Sequence, residues 1–308
     1  MGKFNTPFGA KGGVGYTDGA KLRCVMTKRR SPGQNRVDSK SISGGLVDLR
    51  AVKSLLDQLG GHAQVDPLDA AQDLIYDAWE AGDSRKRIAL AKKALRLSPL
   101  CADAYVLLAQ ETTNPDEAID CYRRGVAVGE KALGEASFRD DIGHFWGILE
   151  TRPYMRARQG LAQTLWDNGL RDEAVQHYRD MLRLNPNDNQ GVRYLLMDCF
   201  LILGRNDEAT RLIRRYKDDG SAAWSWSRAL LAFRRSGECQ ESRSALSQAM
   251  GDNKHIVALL LGEKKMPRQL PAYIGMGDRN EAIAYVHGGA EAWAATPNAL
   301  AWVRACQP

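Results

Sequence analysis

The sequence predicts an all-α fold, a right-handed α-solenoid of about five stacked helix pairs with a helical C-terminal cap. Three observations predict it. From about Val47 almost to the C-terminus, apolar residues recur at spacings of three and four, as amphipathic helices require. No stretch alternates polar and apolar side chains with the period of two that a strand needs. The helical segments also come in pairs, with glycine and alanine returning at intervals of 33 to 35 residues.

Residues 1–45 stand apart from this pattern. They are rich in Gly, Ser, Lys and Arg, and residues 1–40 carry nine Lys or Arg against Asp18 and Asp38. The whole chain is +6, so residues 41–308 sum to −1 and the basic balance belongs to this segment alone. Few apolar side chains and one-signed charge cannot offset the entropy of ordering, which predicts a disordered tail. Its Lys28, Arg29 and Arg30 give a second functional reading: loose, salt-sensitive contact with nucleic acid. Lys11–Thr17, KGGVGYT, is similar to the phosphate loop of partitioning-type ATPases. Tyr16 occupies the position of the lysine that such loops need, and no strand precedes the motif. An ATPase is rejected.

The solenoid is predicted over residues 46–250. Its clearest unit runs from Met155 to Pro186, MRARQGLAQTLWDNGLRDEAVQHYRDMLRLNP. Leu161, Ala162, Gly169, Ala174, Tyr178 and Pro186 fall where the tetratricopeptide repeat, which the unit resembles, places its signature residues. Arg158 and Met181 depart from that pattern. The physics explains the types: small Ala162 and Ala174 let two helices approach, and Gly169 accepts the left-handed geometry that ends the first. Tyr178 fills the space between them, and Pro186 stops the second helix. Gly204 and Ala209 lie 35 residues beyond Gly169 and Ala174, and Gly237 lies 33 beyond Gly204. Upstream, one repeat ends at Pro99 and another carries Tyr105, Leu108, Ala109, Ala118 and Tyr122. An irregular insert is expected near 126–153. Past Met250 the period fails, and residues 251–308 read as a helical cap containing Tyr285, Trp293 and Trp302.

The motifs ETRPYMRAR and LNPNDNQGVR, with GHFWGILETRPYMRARQGLAQTLWDNG and LPAYIGMGDRNEAIAYV around them, look like a family of bacterial tetratricopeptide proteins. These resemble the suppression of tumorigenicity 7 proteins of eukaryotes, over roughly residues 70–290. The resemblance implies an α-solenoid without an established biochemical activity. It also implies membrane association in the eukaryotic members, but no apolar run here approaches the roughly 20 residues a spanning helix needs. A cytoplasmic protein without membrane contact is expected.

Enzymatic chemistry finds little footing. The five histidines show neither HExxH nor paired spacing, and the six cysteines stand at least twenty residues apart. No metal site and no cofactor is expected, and the cysteines read as buried free thiols. His144, Glu150, Arg152 and Arg156 form the densest polar cluster, which suits either a carboxylate-recognising patch or an ion-pair network between repeats.

A partner-binding groove is the leading reading. The first helix of each pair lines the concave face, so Arg156, Gln159, Gln163 and Trp166 face it in the clear unit. In the next unit Gln190, Arg193, Met197 and Phe200 are expected there. Amides and arginines at these places suit a peptide with acidic ends. The expectation is a non-enzymatic scaffold.

Overall fold

The computed structural model describes residues 66–307, and among these it is all helical, with thirteen helices and no strand. The basic segment 1–45, with Lys28, Arg29 and Arg30, and the first predicted repeat residues up to 65 lie outside the described residues. The helices are α1 (Pro67–Glu80), α2 (Ser84–Leu97), α3 (Ala102–Glu111), α4 (Pro115–Asp140) and α5 (Arg152–Asp167). There follow α6 (Arg171–Leu184), α7 (Val192–Ile202), α8 (Asn206–Arg215), α9 (Ala222–Ser236) and α10 (Gln240–Asp252). The C-terminal region holds α11 (Ile256–Leu260), α12 (Arg279–Ala294) and α13 (Ala299–Ala305).

Local sequence sets many of the starts. Asp66 accepts the Leu68 amide at 2.8 Å and Pro67 opens α1, while Asp83 accepts the Lys86 amide at 2.9 Å for α2. Asn114 and Pro115 repeat the first arrangement at α4, and Asp278 caps α12 through the Glu281 amide at 2.8 Å. Each cap satisfies an amide that has no partner inside its helix. Three first helices end the same way: Gly169, Gly204 and Gly237 take φ of 80°, 67° and 64°, where a side chain would be strained. Each sits at the junction between α5 and α6, α7 and α8, and α9 and α10.

The helices pack as pairs, α1 with α2, α3 with α4, α5 with α6, α7 with α8 and α9 with α10. Every second helix also touches the first helix of the following pair, so the chain advances by stacking pair on pair. In the pair α5–α6 the interior is Leu161, Ala162, Ala174 and Tyr178, none more than 2% exposed.

The structure adds detail to two expectations, one near 126–153 and one at the C-terminus. The interruption near 126–153 is mostly helix: α4 runs on to Asp140 with a kink at Gly134, where φ is 70°. The turn that follows is tied down by the Gly143 amide on the Leu184 carbonyl at 2.9 Å and by Thr151, whose hydroxyl donates to the Phe145 and Ile148 carbonyls. The period breaks because helix continues beyond the repeat and, after the kink at Gly134, into a further short helical stretch.

The C-terminal helices also do more than close an end. Helix α12 lies against the first helices α7 and α9. Trp293 is fully buried 5.7 Å from Trp226, and its indole donates to the Tyr285 hydroxyl at 2.7 Å. Trp302 stacks on Phe233 at 4.4 Å. Arg234 on α9 donates to the Ala292 carbonyl at 2.9 Å and to the Thr296 hydroxyl at 2.8 Å, holding the end of α12. The first-helix face in pairs four and five is thus covered by the chain's own C-terminal helix.

Candidate functional site

The six residues expected on the groove divide into two kinds. Gln159, Gln163 and Trp166 are partly exposed along α5. Gln159 accepts from Gln190 at 3.2 Å, so these two amides tie α5 to the loop before α7. Gln163 donates to Asp167 at 3.0 Å and accepts from Tyr178 at 3.2 Å. Trp166 carries the Arg171 guanidinium 4.9 Å from its ring centre, and Arg171 reaches Glu291 of α12 at 3.2 Å.

The two arginines are committed internally. Arg156 on α5 grips Asp103 of α3 with two nitrogens, Nε at 2.8 Å from Oδ1 and Nη2 on Oδ2, and lies 5.2 Å over the Trp79 ring of α1. Asp103 is completely buried and also accepts Gln72 at 2.9 Å. One ion pair therefore braces three consecutive first helices. The side chain of Arg156 keeps 28% exposure, so only its rim meets solvent.

Arg193 is buried, with Asp219 at 2.7 Å, Asp188 at 2.9 Å and the Tyr194 hydroxyl at 2.7 Å. Tyr194 and Tyr216 flank its guanidinium at 4.3 and 5.5 Å. Burial works against its charge, but Tyr194 and the two aspartates outweigh that and hold it protonated. Asp188, at φ 50°, also accepts the Val192 and Arg193 amides at 2.8 and 2.9 Å and so starts α7. The sequence placed Arg193 on an open groove; instead it locks the 185–193 loop to the loop before α9. Met197 and Phe200 are buried as well, at 1% and 3% exposure.

For Arg193 and Met197 the cause is a register error of one residue. The spacing that relates Gly169 to Gly204 is 35, and applying it to Gln159 and Gln163 gives Tyr194 and Asp198. Both are partly exposed, whereas Arg193 and Met197 point inward. Asp198 is thus the counterpart of Gln163, and the glycine spacing was the signal that could have found it.

Asp198 is unlike the other acids of this region. No hydrogen-bond donor or cation pairs with it among the described residues, and enclosure by its neighbours alone pushes its carboxyl up to about 8. It faces α12 at Gly288, where a methyl group would stand 2.1 Å from Oδ2. The preceding residue, His287, lies within charge range of Asp167 at the end of α5; burial raises the Asp167 carboxyl, against the pull of Gln163 and His287.

The polar cluster around His144 does not assemble as one site. His144 and Glu150 are exposed, Arg152 donates to the Trp146 carbonyl at 3.0 Å, and Arg156 turns away to Asp103. Arg158, at the position of a signature aromatic, reaches His177 at 3.2 Å and Asp180 at 2.5 Å. Among the described residues no three His, Cys, Asp or Glu side chains converge as metal ligands would. No described helix is long and apolar enough to cross a membrane.

Helix pairs stacked in series, with a partly open first-helix face, make the described residues an all-helical protein. The family described as ST7 protein matches residues 61–305, and the chain belongs to that family. It is 26% identical over 273 residues to Protein ST7 homolog from Caenorhabditis elegans, covering 75% of this chain and 49% of that protein. It is 25% identical over 273 residues to Suppressor of tumorigenicity 7 protein-like from Gallus gallus, covering 76% and 46%. For the protein of that description from Homo sapiens the identity is 26% over 258 residues, covering 76% and 45%. The chain spans about half the length of the curated relatives it matches.

Proposed function

We propose that the chain is a non-enzymatic scaffold, a right-handed solenoid of tetratricopeptide-type pairs that holds a peptide or protein on its first-helix face. One observation carries the reading: the recurrence of Gly169, Gly204 and Gly237 in the left-handed region, each ending the first helix of a pair. The recurring geometry of that junction orients successive first helices side by side, and such stacking creates a continuous concave surface. The open part of that surface is α1, α3 and α5, because α12 covers α7 and α9. The ion pair of Arg156 with Asp103 fixes this part in place, so little ordering remains to be done when a partner arrives. Gln159, Gln163 and Trp166 supply amide and aromatic contacts for an extended or helical segment.

The test is affinity capture with the full chain, wild type against Gln159→Arg/Gln163→Arg, which fills the face with two long side chains. Proteins held by the wild type and lost by the variant, at unchanged melting temperature, are the expected result. An identical set of captured proteins would sink the assignment of this face.

A further inference from the structure

Each helix pair turns back at its own junction, so the connections between successive pairs gather on the opposite edge of the stack. Contacts tie them into one continuous strip. The Gly143 amide donates to the Leu184 carbonyl at 2.9 Å, the Tyr216 hydroxyl to the Pro186 carbonyl at 3.0 Å, and Arg193 joins Asp188 to Asp219. The Met276 methyl lies against Gly220, and Asn253 donates to the Asp278 carbonyl at 2.8 Å. Of the eight large apolar side chains exposed among the described residues, five belong to two connections on this strip. Ile142 and Leu149 stand in the turn from α4 to α5, and Leu270, Tyr273 and Met276 in the connection from α11 to α12.

Both connections are held in place. Fully buried Phe145 and the Thr151 hydroxyl anchor the α4–α5 turn, yet Leu149 is 55% exposed. The α11–α12 connection is pinned at its ends by the Lys264 amide on the Ala258 carbonyl at 2.8 Å and the Gly277 amide on Glu281 at 2.7 Å, while Tyr273 is 66% exposed. It runs from Leu261 to Asp278, whereas helix–helix connections usually span roughly two to eight residues. Anchored loops that hold apolar side chains in water mark interaction surfaces. The charge beside the two patches is opposite in sign. Asp141 precedes Ile142 and Glu150 follows Leu149, neither in an ion pair among the described residues, whereas Arg139 and Arg152 are held by Asp140 and the Trp146 carbonyl. Lys264, Lys265 and Arg268 stand exposed and unpaired just before Leu270.

We propose that this edge pairs with the same edge of a second copy of the chain, the two running antiparallel, so that the α4–α5 turn of each meets the α11–α12 connection of the other. A two-fold arrangement makes both contacts at once and closes the assembly. Apolar side chains meet apolar side chains at each end, and each acidic turn faces a basic loop. An anionic bilayer would attract the cations but repel Asp141 and Glu150, so the separation of charge along the edge favours a second copy. The first-helix face stays open in such a dimer.

The experiment is sedimentation velocity on the full chain across a wide range of concentration. The wild type is expected to pass from monomer to dimer as concentration rises, and added salt should oppose it. Lys264→Glu/Lys265→Glu/Arg268→Glu and Asp141→Lys/Glu150→Lys should each stay monomeric at unchanged melting temperature, since these side chains lie outside the core. Mixed together, the two variants should form a heterodimer, because every acidic patch then meets a basic one; a merely misfolded variant could not do this. Tyr273→Ala should weaken association roughly tenfold, as loss of an aromatic anchor does. A wild type that stays monomeric at every concentration overturns the inference, as does a dimer that survives both charge reversals or a mixture that fails to assemble. Binding of a monomer to phosphatidylserine vesicles, lost in Lys264→Glu/Lys265→Glu/Arg268→Glu, would overturn it by giving the edge to a bilayer.

Discussion

The first two helix pairs and the C-terminal helices bury their interiors with different side chains. Between α1 and α3 the buried cluster is Ala71, Ile75, Ala78, Ala91, Ala94, Cys101, Ala104 and Leu107, five of eight being alanine. Around α9 and α12 it contains Trp224, Trp226 and Trp293, all fully buried. Alanine lets backbones approach closely but removes little apolar area from water, whereas each tryptophan removes a great deal. The N-terminal part compensates with a polar brace, Asp103 holding Arg156 and Gln72. The difference teaches where sequence change is tolerated. The C-terminal half depends on shape, and the N-terminal half depends on one buried charge being paired.

The sharpest way to break the C-terminal half is Trp293→Ala, which empties the space beside Trp226 and leaves the Tyr285 hydroxyl without its donor. A loss of ~3–5 kcal/mol is expected in denaturant unfolding. On the N-terminal side the corresponding test is Asp103→Ala. It strands the Arg156 guanidinium between α1, α3 and α5, and ~3 kcal/mol should be lost, since unpairing a buried charge costs more than the pair contributes. A Trp293→Ala loss no larger than that of Asp103→Ala would erase the distinction between the two halves.

The third effect has the opposite sign. An unfolded aspartyl carboxyl ionises near pH ~3.9, while folded Asp198 does so at about 8. Between those values the unfolded chain holds fewer protons than the folded one, so this residue lowers stability as pH rises through the window, and no further above it. Asp198→Asn should therefore be neutral near pH 4 and stabilising by ~1–3 kcal/mol at pH 8, the scale of a buried polar group without a partner. Melting curves across that range check it, and a flat difference would show that the carboxyl is not enclosed as described. Smallest of all should be Arg123→Ala, whose pair with Glu173 at 2.9 Å is about half exposed at both ends. Less than ~1 kcal/mol is expected at moderate salt.

Much of this architecture was legible in the sequence, and the misses were specific. The periods of three and four gave the helices, and Gly169, Gly204 and Gly237 marked the pair junctions where φ is positive. Gln159, Gln163 and Trp166 are partly exposed on α5. Arg193 was misplaced, because a one-residue register slip turns a helix by about 100° and exchanges an outward side chain for an inward one. The partner of Arg156, Asp103, lies 53 residues away, beyond the reach of any local pattern. The length of α4 was missed because the segment near 126–153 interrupts the repeat period.

By itself the sequence determined the helical class, the pairing of helices and the separation of a basic segment from a nearly neutral body. These depend on periodicity, turn chemistry and charge, which act over a few residues or add along the chain. Only the tertiary structure decided that α12 lies on α7 and α9, that the groove's arginines are already neutralised, and that Asp198 is left without a counter-ion. Each of those facts depends on which distant residues come within a few ångströms of one another. Ion pairing and desolvation fall off over that distance, so they follow the packing rather than the order of the chain.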